Sequence, residues 1–332
     1  MKSKINFSWK NKKVLLTGVH GFVGSNLCKL LLNEKAIVYG LHRNNNNDSL
    51  LKFENITKFN NISYNNINLQ KITELIIDKE INFCFHLAAN VEVKKSELMP
   101  FQTFDNNMQL TLMLLESFRI SKTLKSFIFT STDKVYGDID KKKLPYKETY
   151  IPNAINPYEM SKLNCENICR TYSNNYKLPI IITRSCNLYG PGQLNFSALI
   201  PSLIKSSISK KRFLPRSNGK LTRDYLFIDD WVKTILHISK VNYYKKFKGE
   251  IFNFGTNDPK SVIQITESIS QKIDKKQKYI SINDFKKVKS KNEIIDQSLS
   301  SEKAIKYFGN FYKTSLDKGL NRTINWYKKY LK

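Results

Sequence analysis

The chain has 332 residues, 41% of them hydrophobic, which is enough to bury one large or two modest cores. No apolar run reaches the roughly 18 residues of a membrane span, and the polar, basic stretch Met1–Lys10 lacks the apolar centre of a signal peptide, so a cytoplasmic protein is expected. The formal charge of +27 would suit nucleic acid, but the lysines are scattered, and the runs Lys141–Lys143, Lys210–Arg212 and Lys286–Lys291 carry no interleaved stacking aromatics; neither nucleic acid nor membrane is expected as a partner.

Val14 to Leu27 reads as a strand, a glycine turn and a helix start. Gly18, Gly21 and Gly24 are spaced so that the backbone can approach a pyrophosphate held at the helix N-terminus, and Leu27, Leu30 and Leu31 continue an amphipathic helix. A second strand, Ala36–Leu41, should end beside the adenosine ribose, where NAD-binding proteins place a carboxylate. Here that neighbourhood is Gly40-Leu-His-Arg43, with no acid before Asp48, and Arg43 could meet a 2′-phosphate, which favours NADP slightly within an NAD(P) assignment. Ile62–Leu69 reads as a third strand, with Asn68 near its end as an adenine contact. Ile81–Asn90 is a fourth strand, buried by its apolar run and ending in small residues, with His86 read as a packed strand residue. A helix over about Phe104–Phe118 places Leu110, Met113, Leu114 and Ser117 on one face and contains Asn107.

Phe127 to Lys162 carries the chemistry. An apolar, β-branched run delivers Thr132, Asp133 and Lys134 to a strand end, and Asn156-Pro157 with Glu159 starts a helix with a cap, a first-turn proline and a capping-box glutamate. Tyr158 and Lys162 then share one helix face, so the ammonium can favour the phenolate. Ile180–Thr183 is another buried strand, and Gly190-Pro-Gly192 marks an exit from the sheet. Leu199–Ile208 is helical, Leu221 onward is a strand leading into a capped helix, Ile251–Gly255 is a strand and Thr314–Tyr330 a terminal helix. Alternating strands and helices predict an α/β protein with a Rossmann-type doubly wound parallel sheet. Cys28, Cys84, Cys165, Cys169 and Cys186 lack a metal-ligand spacing and read as reduced thiols, with no metal site.

Together these motifs resemble the extended short-chain dehydrogenase/reductase family, in particular its nucleotide-sugar epimerases and 4,6-dehydratases. The resemblance runs from the glycine turn through His86-Leu-Ala-Ala, Asn107, Ser131-Thr-Asp-Lys-Val-Tyr-Gly, Tyr158-x-x-x-Lys162, Arg223-Asp-Tyr-x-x-x-Asp-Asp and Asn253-Phe-Gly to the closing Gly-Leu-x-x-Thr-Ile-x-Trp-Tyr. Leu144-Pro-Tyr, Leu194-Asn-Phe-Ser, Arg216-Ser-Asn-Gly and Asp296-Gln look most like CDP-glucose 4,6-dehydratases. The resemblance implies a cofactor domain over 1–185 with about 224–258, and a nucleotide-sugar domain over about 186–223 and 259–332.

It also implies roles. Tyr158 would be the base at the sugar O4, Lys162 would lower its pKa and bind the nicotinamide ribose, and Thr132 would hold the O4 region. Cofactor contacts are implied at Gly18, Gly21, Phe22, Val23, Gly24, Arg43, Asn68, Leu69, Leu87, Ala88, Ala89, Asn107, Thr130, Tyr158 and Lys162, and nucleotide-sugar contacts at Asn187, Asn195, Arg216 and Arg223. Asp133 and Lys134 separate a dehydratase from an epimerase, because water loss across C5 and C6 needs two further proton-transfer groups. Asp133 would be the acid, and Lys134 a base or an electrostatic stabiliser. CDP-glucose is the first substrate candidate and GDP-mannose the next. A 4-epimerase or reductase is the alternative activity, and a non-catalytic cofactor-binding protein a further one. The helices near 104–118 and 157–172 would pair in a homodimer or a dimer of dimers.

Overall fold

The structure, a computed structural model, describes residues 7–43, 48–63, 68–91, 93–276, 278–288 and 295–332. It divides into two compact units: residues 1–135, 154–184 and 232–252 form the first, and 136–153, 185–231 and 253–332 the second. The sequence reading assigned 136–153, 224–231 and 253–258 to the cofactor domain; here these three segments group with the second unit.

The first unit begins with β1 (Lys13–Thr17), α1 (Phe22–Asn33) and β2 (Ile37–His42), then α2 (Leu50–Phe53), β3 (Asn60–Ser63), α3 (Leu69–Asp78) and β4 (Phe83–His86). It continues with α4 (Val93–Leu98), α5 (Pro100–Ser121), β5 (Ser126–Thr132), α6 (Pro157–Tyr176) and β6 (Ile180–Ser185). Counting β7 (Asn187–Tyr189), α7 (Leu199–Ile208), β8 (Thr222–Arg223) and β9 (Tyr225–Phe227), the chain returns through α8 (Ile228–Lys245) and β10 (Lys248–Phe254). The main sheet has the order β10-β6-β5-β4-β1-β2-β3. Strands β3, β2, β1, β4 and β5 run parallel, with Thr17 opposite Leu41 on one side and His86 on the other. The order reverses at β1, so β2 and β4 flank its C-terminal end and leave a crevice there, the place where doubly wound sheets take their ligands.

Burial explains why these strands form. Leu15, Cys84, Phe127, Phe129 and Ile182 are buried in the sheet beneath α5 and α6, whose inward faces present Leu110, Leu114, Cys165 and Cys169. A sheet covered on both faces selects continuous apolar strands, which is how β4, β5 and β6 read. One expected element differs: the third strand ends at Ser63, and Asn68 is the N-cap of α3, its side chain accepting from the Lys71 N–H at 2.9 Å. Asn68 favours capping because its short amide competes for backbone donors, and Ile72 and Ile76 beyond it are buried at helical spacing; positions 64–67 of the expected strand lie outside the described residues.

In the second unit β7 pairs parallel with β9, and β8 pairs antiparallel with β11 (Lys260–Ser261). Helices α9 (Val262–Ile273), α10 (Glu302–Phe308) and α11 (Leu316–Tyr330) complete it. All five cysteines are free and buried. Among the described residues no cluster of His, Cys, Asp or Glu could hold a metal ion, and no helix is long and apolar enough to cross a membrane.

Candidate active site

At the C-terminal end of β1 the chain turns through Gly18, whose φ of +70° is costly for any residue with a Cβ. A Cβ on Gly18 would lie 3.1 Å from the Ala88 backbone at the end of β4, and one on Gly24 would lie 2.1 Å from the Gly18 carbonyl oxygen. Close approach of two strand ends and a helix therefore requires glycine at both places. Gly21 is the N-cap of α1 and makes no side-chain cap, so the first amides of that helix can serve an anion. Phe22 and Val23 begin α1.

Thr17 ties β1 to β4: its Oγ1 accepts from the Leu87 and Ala88 N–H groups, each at 3.0 Å, and lies 2.8 Å from His86 Nδ1. On the other side of the ring, Nε2 is 2.9 Å from Thr111 Oγ1, which donates to the Asn107 carbonyl. A hydroxyl already donating elsewhere can only accept, so Nε2 carries the proton and Nδ1 accepts from Thr17. Burial first, and the Lys162 charge second, push the imidazole down to about 3. His86 is a neutral structural link, as its sequence reading has it.

A cavity of about 230 Å³ opens over these strand ends, lined among others by Gly18, Gly21, Arg43, Ala88, Ala89 and Asn107. Asn107 also braces the wall: its side chain accepts from the Asn90 N–H and donates to Ser161 Oγ, which in turn donates to the Tyr158 carbonyl. Arg43 bonds Asn106. Asn68 and Leu69 do not line this cavity, and Leu69 is exposed. One buried polar atom of a lining residue, His42 Nδ1, has no hydrogen-bond partner among the described residues; Thr130 Oγ1 on β5 lacks one too, but Thr130 does not line the cavity. The glycine cradle, the uncapped helix start and the orphaned imidazole nitrogen fit a dinucleotide.

The reactive groups lie at the end of β5 and the first turn of α6. Asn156 caps α6, and a full capping box with Glu159 fixes that turn. Tyr158 is buried, and its phenol meets Thr132. Thr132 donates to Asp133 Oδ1 at 3.2 Å, and the Lys134 N–H reaches Thr132 Oγ1 at 3.3 Å; Lys134 Nζ lies 3.9 Å from Asp133. Thr132, Asp133, Lys134 and Tyr158 therefore form one cluster. Burial, then the Asp133 charge, hold the Tyr158 phenol above its usual range, and the Thr132 bond opposes them. Lys162 differs from the sequence reading: its ammonium sits 4.2 Å above the Phe129 ring, and the charges acting on it are those of Cys165, Cys169 and Glu166. Burial lowers its own pKa. The helix places Tyr158 and Lys162 on one face, yet the aromatic floor of β5 takes the ammonium.

The second unit has its own cavity of about 200 Å³, lined in part by Asn187, Ser197, Arg216, Arg223 and Tyr225. Arg223 donates to the Thr222 and Ile295 carbonyls, and Arg216 to that of Ser197. Asn195 does not line the cavity; it is exposed and its side chain accepts from the Ser197 N–H and hydroxyl. Sequence reasoning missed Ser161, Asn90, Asn106 and Tyr225, whose signals are single polar residues with no local pattern.

A family model described as GDP-mannose 4,6 dehydratase matches residues 15–323. The chain belongs to this family. Among its relatives is a dTDP-D-glucose 4,6-dehydratase of Dictyostelium discoideum, 34% identical over 276 residues, which cover 78% of this chain and 61% of that protein. The chain spans about half to three fifths of the length of the first curated relatives it matches. Among solved structures, the UDP-glucose 4-epimerase of Thermotoga maritima with UDP-glucose superposes with a TM-score of 0.84 at 27% identity, covering 96% of this chain and 100% of that one. The UDP-glucuronic acid 4-epimerase of Bacillus cereus, in complex with UDP-glucuronic acid and NAD, gives 0.82 at 29% identity, over 96% and 99%. Family membership agrees with the glycine turn, the β5 strand end and the α6 tyrosine found in the first unit.

Proposed function

We propose that the chain is an NAD(P)-dependent nucleotide-sugar 4,6-dehydratase that converts an NDP-hexose to its 4-keto-6-deoxy form. The cluster of Thr132, Asp133, Lys134 and Tyr158 carries this reading, because it supplies more proton-transfer groups than oxidation at C4 requires. A bound nicotinamide supplies the hydride acceptor for C4 and later the hydride for C6. Tyr158 takes the O4 proton while Thr132 holds that oxygen. Lys134 takes the C5 proton and returns it to C5 when the hydride reaches C6, and Asp133 protonates the departing C6 hydroxyl, which leaves as water. In the second unit Arg216 and Arg223 present the guanidinium forks that suit a diphosphate, with Asn187 beside them. Arg43, and the lack of a carboxylate in β2, favour NADP over NAD.

CDP-glucose is the first substrate proposed and GDP-mannose the next. Incubation with these, dTDP-glucose and UDP-glucose, followed by mass spectrometry, should show one of them losing the mass of a water molecule; intact sugar nucleotides in every arm would remove the proposal. A 4-epimerase is the second reading, favoured by the two epimerase superpositions; it gives a product of unchanged mass and survives the double change Asp133→Asn, Lys134→Met. Leu98, Phe101, Leu112 and Ile120, exposed at the end of α4 and along α5, support a homodimer or a dimer of dimers built on that helix, to be measured by light scattering.

A further inference from the structure

Glu159 follows Tyr158 on α6, and none of the proton steps assigned above uses its charge. It closes the capping box, its carboxylate accepting from the Asn156 N–H at 3.4 Å. A glutamine closes the same box with its amide oxygen, so the start of the helix does not require a charge there. The charge is also held against opposition. Glu159 is half-buried, and burial is the largest cause that pushes its carboxyl up. The Asp133 carboxylate pushes the same way, while the amides of Asn156 and Ile155 and the charge of Lys134 act against them. A residue kept only as a cap would avoid both the burial and the like charge.

Lys134 is the neighbour that gains from it. Its side chain is a long, rotatable stem, 27% exposed, with Nζ 3.9 Å from Asp133 Oδ1. Two carboxylates therefore act on one amine, Asp133 from the end of β5 and Glu159 from the first turn of α6. Their duties differ. Asp133 enters elimination carrying the proton that it gives to the C6 hydroxyl, so it offers Nζ no negative charge at that moment. Glu159 has no proton to give and stays an anion throughout.

We propose that Glu159 positions Lys134 for elimination: pinned at the first turn of α6, its carboxylate holds the lysine side chain in place and stabilises the positive charge that Nζ acquires with the C5 proton. The inference rests on the 4,6-dehydratase reading. In that step the C5 proton moves to Nζ, the C5–H electron pair forms the bond between C5 and C6, and the C6 hydroxyl leaves as water with the Asp133 proton. Glu159 neither gains nor loses a proton. A fixed anion beside a charge that develops only as the bond breaks lowers the barrier without having to reorganise. C4 oxidation puts no charge on Lys134 and does not draw on Glu159. After burial and the Asp133 charge, Glu159 is a further group that raises the Tyr158 phenol, so its removal does not slow proton transfer from O4.

The test is Glu159→Gln, which keeps the capping box and removes the charge. The substrate is whichever of CDP-glucose, GDP-mannose, dTDP-glucose and UDP-glucose the wild-type chain dehydrates, carrying hydrogen or deuterium at C5. Rapid-mixing absorbance of the nicotinamide follows oxidation at C4, and mass spectrometry follows loss of water. Expected are an unchanged melting temperature, C4 oxidation at least as fast as in the wild type, and water loss about tenfold to a hundredfold slower, the size of a lost charge-assisted contact. Reduced cofactor should accumulate, and the isotope effect from C5 deuterium should grow. Glu159→Asp, which keeps the charge, should recover part of the rate of water loss. Wild-type rates in Glu159→Gln, or oxidation and water loss slowed together with no larger isotope effect, would overturn the inference and leave Glu159 a helix cap. A wild-type chain that gives a product of unchanged mass, or no product from any of the four, would remove the dehydratase reading and this inference together.

Discussion

The helix that carries Tyr158 and Lys162 is anchored by a buried ion pair, and removing half of it is the sharpest stability test of the site. Glu166 on α6 and Arg184 on β6 are 1% and 2% exposed at the side chain, joined by Nε to Oε1 at 3.1 Å and Nη2 to Oε2 at 2.6 Å. Glu166→Gln keeps shape and one acceptor but leaves the guanidinium without its counter-charge in a place water does not reach. Breaking such a pair from one side costs about 3–5 kcal/mol, against a total stability of about 5–15 kcal/mol for an ordinary domain. Glu166 lies eight residues beyond Tyr158, about two helical turns, so relaxation of α6 against β6 also moves the tyrosine against Thr132. Urea denaturation of the purified variant should show a midpoint lowered in proportion, with an unchanged slope. Glu166→Met with Arg184→Leu should recover part of the loss, because two apolar side chains leave no buried charge behind. A loss below about 1 kcal/mol for Glu166→Gln, in the range of a surface pair, would refute the claim that this pair holds the helix.

Gly24→Ala would drive a methyl group into the Gly18 carbonyl at 2.1 Å, which backbone must yield to accommodate; dinucleotide binding should fall at least about a hundredfold while far-ultraviolet circular dichroism stays close to native. The neutral His86 gives a signed pH effect: its folded pKa of about 3 lies below the unfolded value of about 6.5, so stability is full above pH 6.5 and lost as the unfolded chain protonates below it. At pH 5 the loss is about 2 kcal/mol, set by the unfolded value alone, and His86→Gln should flatten melting temperature against pH over that interval. Arg223→Ala should raise KM for the sugar nucleotide about tenfold to a hundredfold with kcat little changed, the size of a lost charge-assisted phosphate contact. Asp133→Asn removes the charge that raises Tyr158, so the pH limb of C4 oxidation, read in single turnovers by cofactor absorbance, should move to lower pH even as dehydration stops.

Which of these features were legible in sequence follows from how locally each is encoded. The glycine turn is readable because only glycine satisfies a φ of +70° and two close contacts, so the residue type is the geometry. The start of α6 is equally local, since Asn156, Pro157 and Glu159 specify cap, first turn and capping box within four positions. The expected strand did not reach Leu69, because Asn68 caps α3 and Leu69 is its first residue. The pairing of His20 with His42 could not be read at all: β1, β2, α2 and β3 meet there only because the sheet order sets them side by side. The place of Lys162 is intermediate. Helical spacing puts it on the face of Tyr158, but whether the ammonium turns to the phenol or to a ring is decided by Phe129, thirty-three residues earlier on β5.

That placement bears on the proposed reaction. Burial, then the Asp133 charge, raise the Tyr158 phenol, and the Thr132 bond lowers it; with Lys162 over the Phe129 ring, Thr132 is the neighbour that favours the phenolate which the proposed proton transfer from O4 needs.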